Sequence, residues 1–347
     1  MGPMKLSPLN ARRWANFKAN RRGWISARVF LALFAVSLFA EFIANDRPLL
    51  VRFEGQTFIP VLADHDETEF GGDLPTLVDF KDPLIAANIA ERGWAIWPLI
   101  PYDYRSQVRD LGRPSPAPPS WRNPLGTDDQ ARDFAARLIY GFRTGVLFGF
   151  TLTIAASIIG VLAGAVQGYY GGLIDLLFQR FIEIWSGLPA LYLLIILASF
   201  ITPTFWIMFF LLLLFSWTSL VGVVRAEFLR ARNFDFVRAA RALGVSDTTI
   251  MIRHVLPNAM VATLTNMPFI LAGSLTVLAS LDFLGFGLPP GSPSLGEMAL
   301  QGKNNLQAPW LAAVGFVGTG SILLLLVFTG EAVRDAFDPR KLPGGGR

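Results

Sequence analysis

Residues 184–224 read IWSGLPALYLLIILASFITPTFWIMFFLLLLFSWTSLVGVV and contain no Asp, Glu, Lys or Arg. A membrane-spanning helix needs about 20 apolar residues. These 41 residues are therefore too many for one span and enough for two. The tetrapeptide Ile-Thr-Pro-Thr at residues 201–204 is a turn signal in the middle of the stretch, because proline disrupts the interior of a helix. The stretch predicts two membrane-spanning helices joined by a turn.

Three further charge-free stretches flank this one. They cover residues 144–174, 254–281 and 304–330, and each is at least 27 residues long. By the same length argument, each stretch predicts one membrane-spanning helix. The charge-free stretches alone therefore predict five spans.

A sixth span is predicted at residues 24–45, although the uncharged run between Arg28 and Glu41 is only 12 residues long. Arg28 can extend its charge to the headgroups and Glu41 can lie near the opposite surface, so the segment can still span. A basic region before a short apolar run also describes a cleavable signal peptide. We favour a retained helix, because no small-residue cleavage pattern follows and six spans place both termini on one side.

The composition excludes several classes of protein. Only 16% of the 347 residues are charged and 52% are hydrophobic, whereas a soluble domain has about 25% charged residues. The chain has no cysteine and two histidines. This excludes disulfides, a catalytic thiol, iron–sulfur clusters and Cys-ligated zinc, and no metal site is expected.

The basic residues indicate how the chain is oriented. Residues 1–23 contain six Lys or Arg and no acid, and the positive-inside rule predicts a cytoplasmic location for them. Residues 46–133 contain 15 acids and nine basic residues, in keeping with an extracytoplasmic segment. The loop 225–257, with six arginines, and the tail 333–347 then fall in the cytoplasm. The sequence thus predicts a multi-pass protein with two cytoplasmic termini.

Residues 46–137 form a predicted extracytoplasmic insert between the first two spans. The segment is too polar for a membrane and too long for a plain loop. Strand-like and turn-like pieces, such as VRFEGQTFIP at residues 51–60, predict a small folded subdomain. The proline-rich residues 113–124 favour an extended segment at its end. The alternative is a spacer that does not contact cargo.

The loop 225–257 predicts a helix, a glycine turn and a second helix on the inner face of the membrane. The first helix runs through residues 238–243 and ends at Gly244, because glycine suits the left-handed conformation that ends many helices. The second is expected to break at Pro257. Each helix has two candidate capping residues: Asn233 or Asp235 for the first, and Ser246 or Asp247 for the second.

The first of these helices carries two consecutive small side chains. Ala239 and Ala240 carry small side chains, which suits close packing into the groove of a partner. The alternative is an ordinary interfacial hairpin that only connects two spans.

Several motifs resemble those of ABC-importer membrane subunits. The spacing A-A-x3-G-x11-L-P over residues 239–257 resembles their cytoplasmic signature loop, and RHVLPNA at residues 253–259 resembles its peptide-importer version. LGTDDQARDFAARLIYG at residues 125–141 is similar to the motif before their second span. SLDFLGFG at residues 280–287 and PSLG at residues 293–296 are similar to the end of their fifth span and the loop after it. Nearly the whole chain resembles a permease subunit of the bacterial oligopeptide/dipeptide importer family, of the YejE type.

The resemblance implies an all-α integral membrane fold with six transmembrane helices of the ABC importer type I kind. Residues 24–45 would be the first helix, residues 46–137 the periplasmic insert, and residues 138–332 the core with the other five helices. The resemblance also implies a loop that couples to a separate ATPase through Arg238, Ala239, Ala240, Gly244, His254, Leu256 and Pro257.

The resemblance further implies which molecules the chain works with. The sequence has no G-x4-G-K-[ST] phosphate-binding motif, so we expect this chain to be no enzyme and to hold no cofactor. ATP and magnesium would be bound by ABC ATPase subunits. The other expected partners are a homologous second permease subunit, a periplasmic peptide-binding protein and the lipid bilayer of the inner membrane. No nucleic-acid partner is expected.

Two residues depart from the family pattern. Arg238 stands where these subunits usually have an acidic residue before the two alanines, which is expected to alter the ATPase surface that the loop accepts. Ala131 stands where they usually have glycine, and we expect an ordinary backbone conformation there.

Three polar residues in or near the predicted spans are candidates for the translocation path. Ionisable groups inside a membrane usually face the interior of a helix bundle, and the candidates are Gln167, Glu183 and Asp282. All three lie near predicted membrane surfaces, where a charge costs little, so a structural role is the alternative. The small residues at 160–172 are predicted to serve close helix packing.

The function that the resemblance implies is ATP-driven import of oligopeptides, including peptide antibiotics such as microcin C. The alternative is a permease of the same family whose cargo is nickel, glutathione or an opine. A secondary transporter would show internal repeats and broken helices with ion ligands. An intramembrane protease would need a nucleophile and a base within the bilayer. The sequence favours neither.

Overall fold

The computed structural model describes residues 7–109 and 111–338. Most of its regular structure is helical. Residues 1–6 and 339–347, which belong to the two predicted cytoplasmic termini, lie outside the described residues. So do four of the basic residues used for orientation, namely Lys5, Arg340, Lys341 and Arg347.

Four helices are long and apolar enough to cross a membrane. The first is α5 (Phe134–Tyr170), and the last is α14 (Pro309–Phe337). Between them, α8 (Phe205–Ser216) continues into α9 (Thr218–Ala231), and α12 (Leu256–Phe283) extends a helix that starts at residue 247. Each of the four coincides with one of the predicted spans.

A fifth candidate span is bent. Helix α6 (Gly172–Ser186) and helix α7 (Ala190–Phe200) meet at an angle of 70° across a break of three residues. Pro189 lies in the break, where its missing N–H group costs no helical hydrogen bond. The chain is interrupted at residues 201–204, as predicted. The apolar helix before that interruption has only 11 residues, so it needs α6 to complete a span.

The predicted first span corresponds to α2 (Arg21–Leu38) and the short helix α3 (Ala40–Ile43). With three arginines among its 18 residues, α2 is not among the helices that are apolar enough to span by composition. Its packing is that of a bundle helix. Phe30 of α2 is buried in one hydrophobic cluster with Phe142 of α5 and Leu326 of α14. Helix α2 therefore joins the five other segments in the membrane body.

Glycines on one face of α5 let α9 approach to backbone contact. A Cβ atom built on Gly160 would lie 2.7 Å from the carbonyl oxygen of Trp217, and one built on Gly164 would lie 2.7 Å from that of Val221. The same contact recurs one turn further along, at Gly168. A side chain at any of these positions would overlap the backbone of the neighbouring helix. The small residues thus serve helix packing, as the sequence predicts.

Gly164→Ala is expected to lower the free energy of unfolding by about 1–3 kcal/mol, because the added methyl group would overpack the interface. Gly222→Ala on α9 is the matched control, since nothing lies within 4 Å of a Cβ atom there. Alanine is favoured over glycine inside a helix by up to about 1 kcal/mol, so the control should be neutral or stabilising. Thermal unfolding of both variants in detergent checks this, and equal stabilities would contradict the packing role of Gly164.

The insert contains a three-stranded antiparallel sheet, one α-helix and a 3-10 helix (Glu67–Phe70). Strand β1 (Leu50–Phe53) lies in the middle, between β2 (Gln56–Phe58) and β3 (Gly93–Ile96). Glu54 and Gly55, both with positive φ, form the two-residue turn between β1 and β2. Helix α4 (Pro83–Arg92) packs against this sheet. A separate hydrophobic core is formed by Val51, Phe53, Phe70, Phe80, Ile85 and Ile89.

Two further helices pack against the spans. Helix α1 (Pro8–Ala19) precedes α2 and packs against the end of α14. Helix α13 (Leu295–Asn304) lies between α12 and α14 in sequence and packs against both. It also contacts α5, which brings the loop after the fifth predicted span to the start of the second.

Candidate functional site

The loop between α9 and α12 folds into the predicted helical hairpin. Helix α10 (Asp235–Ala242) is followed by Gly244, whose φ of 79° is the left-handed conformation expected there. The N–H group of Val245 donates to the carbonyl oxygen of Ala240 at 3.1 Å, which closes the end of α10. The short helix α11 (Asp247–Thr249) then begins at residue 247.

Of the two helices of the hairpin, the second has a predicted capping residue and the first has neither of its two candidates. The side-chain oxygen of Ser246 accepts from the N–H of Thr249, so the second helix has the expected cap. The first helix has no side-chain cap. Asn233 is not available, because its side chain donates to the carbonyl oxygen of Leu229 at 3.2 Å, and Asp235 is already within the helix.

The expected break at Pro257 is wrong. Residues 250–255 form a π-helical turn, and the helix continues through Pro257 into α12. The π-helical turn directly before Pro257 accommodates the proline, because its hydrogen bonds already depart from the i→i−4 pattern that a proline interrupts. The second helix of the hairpin is therefore continuous with a membrane span.

The hairpin is held against the ends of α5 and α9. Tyr169, at the end of α5, donates its hydroxyl proton to Asp247 at 2.5 Å and accepts from Arg241 at 3.0 Å. Val237 and Ile250 are fully buried in a hydrophobic cluster with residues of α5 and α9. This packing makes the hairpin and the ends of three helices one body, so a force on the hairpin would act on the spans.

The outer face of the hairpin is apolar and exposed. The side chain of Leu243 is 84% exposed, and Phe234 and Phe236 are also exposed, with ring centroids 5.8 Å apart. Ala239 lies on this exposed face, whereas Ala240 is half-buried against the hydrophobic cluster beneath. Exposed apolar residues of this kind mark interaction surfaces when they are contiguous.

The other predicted coupling residues take different positions. Arg238 is exposed on α10, and Pro257 is exposed at the start of α12. Leu256 packs against the hydrophobic cluster beneath the hairpin. His254 is half-buried, and its carbonyl oxygen accepts from the side chain of Asn258 at 3.2 Å. The structure thus brings the seven residues into one hairpin, with Arg238 and Ala239 facing outward.

A second polar cluster lies at the opposite end of α5. Asp128 accepts from Arg132 at 2.6 Å, and the guanidinium group of the fully buried Arg137 lies 3.5 Å from the same carboxylate. Arg137 also pairs with Glu297 of α13. Gln301 donates to Glu297 at 2.6 Å. We call these five residues the outer ion cluster.

The outer ion cluster joins the motif before α5 to the loop after α12. Arg137 donates to the carbonyl oxygen of Tyr104 at 3.1 Å and to that of Ser292 at 3.2 Å. No motif of the sequence was expected to form this cluster. The signal for it was the density of charges in residues 125–141 and the glutamate directly after PSLG.

Comparison with known proteins identifies the family of the chain. Residues 143–343 match the family model described as "Binding-protein-dependent transport system inner membrane component". The chain belongs to this family. The match includes the whole hairpin and every span except the first.

Curated relatives of this inner membrane component extend the match to the rest of the chain. "Inner membrane ABC transporter permease protein YejE" of Escherichia coli is 57% identical over 97% of this chain and 99% of its own length. "Peptidoglycan transport system permease protein YejE" of Agrobacterium fabrum is 56% identical over 96% of this chain and 94% of its own length. "Oligopeptide transport system permease protein OppC" of Lactococcus lactis is 33% identical over 62% of this chain.

Among solved structures, an inward-facing form of the MetNI methionine ABC transporter covers 58% of this chain and 96% of its own. Its TM-score is 0.47 and its sequence identity is 16%.

The expectation for Ala131 in this inner membrane component is wrong. Its φ is 62°, which is the left-handed region that glycine adopts without strain. Two backbone hydrogen bonds hold Ala131 in this conformation. Its N–H group donates to the carbonyl oxygen of Asp128, and its carbonyl oxygen accepts from the N–H group of Val108 at 2.8 Å. The glycine of the family pattern would fit here better than the alanine.

Ala131→Gly is therefore expected to stabilise the protein by about 1 kcal/mol, because the left-handed conformation costs an ordinary residue about 1–2 kcal/mol. The gain is less than the full strain, because glycine loses more backbone freedom on folding. Differential scanning fluorimetry of the detergent-solubilised chain checks this. Ala135→Gly, within α5, is the control and should destabilise by about 1 kcal/mol. A lower melting temperature for Ala131→Gly would contradict the strain.

The three predicted path residues do not come together. Gln167 is buried near one end of α5 and accepts from Gln179 of α6 at 3.0 Å. Asp282 accepts from Ser294 at 2.5 Å, beside the other end of α5. The helix between Arg137 and Gln167 is about 45 Å long at 1.5 Å per residue.

Glu183 and Asp282 both have local partners. Glu183 pairs with Arg180 at 2.5 Å on the exposed helix α6. Asp282 also accepts from the N–H group of Leu288 at 2.7 Å, so it closes the loop that follows α12. This geometry fits a structural role for Asp282.

The insert contains a half-buried lysine, Lys81, beside a cavity of about 360 Å³, and its Nζ atom is buried without a hydrogen-bond partner among the described residues. The Nζ atom of Lys81 lies 3.5 Å from the centroid of the Tyr102 ring. Burial lowers the pKa of Lys81 to about 8, although Asp46, Asp79 and Asp103 act in the opposite direction. The protonated lysine is therefore costly in the folded protein.

Lys81→Met is expected to raise the melting temperature at pH 7, because the folded state then no longer holds a buried charge. An unfolded lysine titrates near pH 10.4. Between about pH 8 and that value the unfolded chain binds more protons, so the stability of the unmodified protein rises with pH. The advantage of Lys81→Met should therefore shrink between about pH 8 and pH 10. An advantage that stays constant over that range would contradict the lowered pKa.

Proposed function

We propose that this chain is the membrane permease subunit of an ATP-driven importer of oligopeptides. The observation that carries the proposal is the extent of the similarity to curated permeases. Identity of 56–57% extends over 96–97% of the chain, so it includes the extracytoplasmic insert as well as the membrane core. A shared insert argues for a shared task beyond the common fold.

The names of the relatives support a cargo with a peptide moiety. One relative transports peptidoglycan, others transport oligopeptides or dipeptides, and peptidoglycan itself contains short peptides. Peptide antibiotics such as microcin C fall in the same chemical class. Nickel, glutathione and opines are the cargoes against which the proposal is tested.

The exposed face of the hairpin is proposed to dock on an ABC ATPase subunit. ATP and magnesium would bind to that subunit, because this chain lacks a phosphate-binding loop. Arg238 and Ala239 would touch the ATPase, whereas Gly244 and Leu256 would hold the shape of the hairpin. ATP-driven closure of the ATPases would then tilt the hairpin together with α5, α9 and α12.

The remaining partners follow from the same proposal. A homologous second permease would complete the pathway, and a periplasmic binding protein would deliver cargo to the extracytoplasmic side. This arrangement requires cytoplasmic termini and a cytoplasmic hairpin, in agreement with the positive-inside rule.

The proposal is tested by purifying the chain from its native membrane in mild detergent and identifying the copurifying proteins by mass spectrometry. A second permease and ABC ATPases are expected. The purified complex is then placed in liposomes with its binding protein, and uptake of a labelled tripeptide is compared with uptake of glutathione and Ni²⁺. Recovery of the chain alone would overturn the coupling role. Uptake of Ni²⁺ or glutathione without uptake of peptide would overturn the cargo.

A further inference from the structure

The N-terminal helices carry a dense group of cations. Residues 7–40 contain no acidic residue. They contain six basic residues, which are Arg12, Arg13, Lys18, Arg21, Arg22 and Arg28. Within residues 7–109 and 111–338, none of the six forms an ion pair with a carboxylate. All except Arg13 are exposed. Within the described residues, no ion pair therefore neutralises these six cations.

Aromatic side chains alternate with these cations. Lys18 Nζ lies 5.1 Å from the ring of Trp14 and 5.7 Å from that of Trp24. Arg28 lies 5.3 Å from the ring of Trp24. Tryptophan beside basic side chains is typical of the headgroup region of a membrane, where the ring is half apolar and the cation meets phosphate.

An apolar groove of about 480 Å³ opens beside the cations, between α1 and the end of α14. Its lining is Asn10, Arg13, Trp14, Phe17, Val333, Ala336 and Phe337. Arg13 lies over the ring of Phe337 at 4.5 Å, at the boundary between the groove and the charged surface. Helix α1 has no buried residue, so the α1 side of this groove is at least partly exposed.

Apolar side chains continue from the cations along α2. Ile25, Leu31 and Val36 are each more than 50% exposed. A ligand at this place would meet cations at one end and apolar surface at the other. That combination matches a phospholipid with an anionic headgroup.

We propose that α1 and the start of α2 bind an anionic phospholipid, with its phosphate among the six cations and an acyl chain against the groove. Clusters of four to eight Lys or Arg beside a membrane helix bind anionic lipids with about 1 kcal/mol per cation. Acidic residues at the end of α14 border the site on one side, where they would repel an anionic headgroup. Asp335 there accepts from Asn20 at 3.1 Å. The site would anchor the N-terminal helix to the membrane surface.

The test uses the full-length chain in detergent. Binding of short-chain phosphatidylglycerol is compared with binding of phosphatidylcholine with the same acyl chains, by native mass spectrometry at low salt. We expect at least tenfold preference for phosphatidylglycerol. The triple variant Arg12→Gln/Arg13→Gln/Lys18→Gln should lower the affinity for that lipid about 100-fold.

Two further variants distinguish the contribution of the N-terminal cations to lipid binding from that of the groove. Arg47→Gln/Arg92→Gln/Arg109→Gln removes three exposed cations that already pair with Asp64, Glu54 and Asp79, and it should leave lipid binding unchanged. Val333→Trp should fill the groove and weaken lipid binding without a change of charge. Gel filtration and the melting temperature confirm that each variant is folded.

Three results would overturn the proposal. The first is equal affinity for the two lipids, and the second is an equal loss of affinity in the control triple variant. The third is displacement of phosphatidylglycerol by inorganic phosphate at the same concentration, which would indicate a simple anion site. None of these readouts depends on the cargo or on the ATPase.

Discussion

Arg137→Met is expected to destabilise the protein by about 3–5 kcal/mol, the effect of removing one partner from a buried ion pair. Arg137 is fully buried, and its guanidinium group lies between Asp128 and Glu297. Without it, the carboxylate of Glu297 loses its nearest cation, and three backbone carbonyls lose a donor. The loss should separate α13 from the start of α5.

The measurement is thermal and urea unfolding of the purified chain, together with its amount in the membrane. Arg109→Met is the matched control, because Arg109 pairs with Asp79 at 2.8 Å but is 65% exposed. Exposed ion pairs contribute about 0–1 kcal/mol. The double variant Arg137→Met/Glu297→Leu should recover part of the stability, since both charges of the pair are then absent. Equal stability of Arg137→Met and Arg109→Met would contradict the role of the outer ion cluster.

Gly244→Val is expected to abolish ATP-driven uptake while the chain still inserts into the membrane. Gly244 has a φ of 79°, which a β-branched residue adopts only with strain. The turn between α10 and α11 would change, and with it the direction of the exposed face. Nothing lies within 4 Å of a Cβ atom built at Gly244, so the change would act through the backbone and not through a clash within the chain.

Gly244→Asn is the matched control, because asparagine tolerates the left-handed conformation, and it should retain most of the uptake. Gly244→Asp adds a negative charge to the proposed docking face and should abolish uptake if that face contacts the ATPase. Uptake is measured in liposomes, and ATPase copurification shows whether the complex still forms. Normal uptake by Gly244→Val would contradict the coupling role of the hairpin.

The structure also changes how the docking face should be probed. A bulky residue at Ala240 would disturb the hydrophobic cluster under the hairpin, because Ala240 is half-buried there. Ala239 is exposed, so Ala239→Trp leaves that cluster intact. Loss of uptake in Ala239→Trp with an unchanged melting temperature would therefore separate docking from folding.

Features that depend on nearby residues can be predicted from the amino-acid sequence. Charge-free length predicts where helices can cross a membrane, because the bilayer has a fixed thickness. Gly244 and Ser246 mark the turn of the hairpin, because left-handed backbone and side-chain capping are local properties. The glycines of α5 predict close helix packing for the same reason, since their effect needs no particular partner.

Features that join distant parts of the chain depend on how the helices pack, and the sequence does not reveal them. Arg137 and Glu297 are 160 positions apart, and no local pattern states which charges will pair when the helices pack. The conformation of Ala131 and the lowered pKa of Lys81 likewise depend on neighbours that folding brings together. The continuity of the helix through Pro257 shows the same limit, because a proline usually interrupts a helix and the π-helical turn that accommodates it here is seen only in the folded structure. Local chemistry thus fixed the spans and the hairpin, whereas packing fixed the ion pairs, the strain and the buried charge.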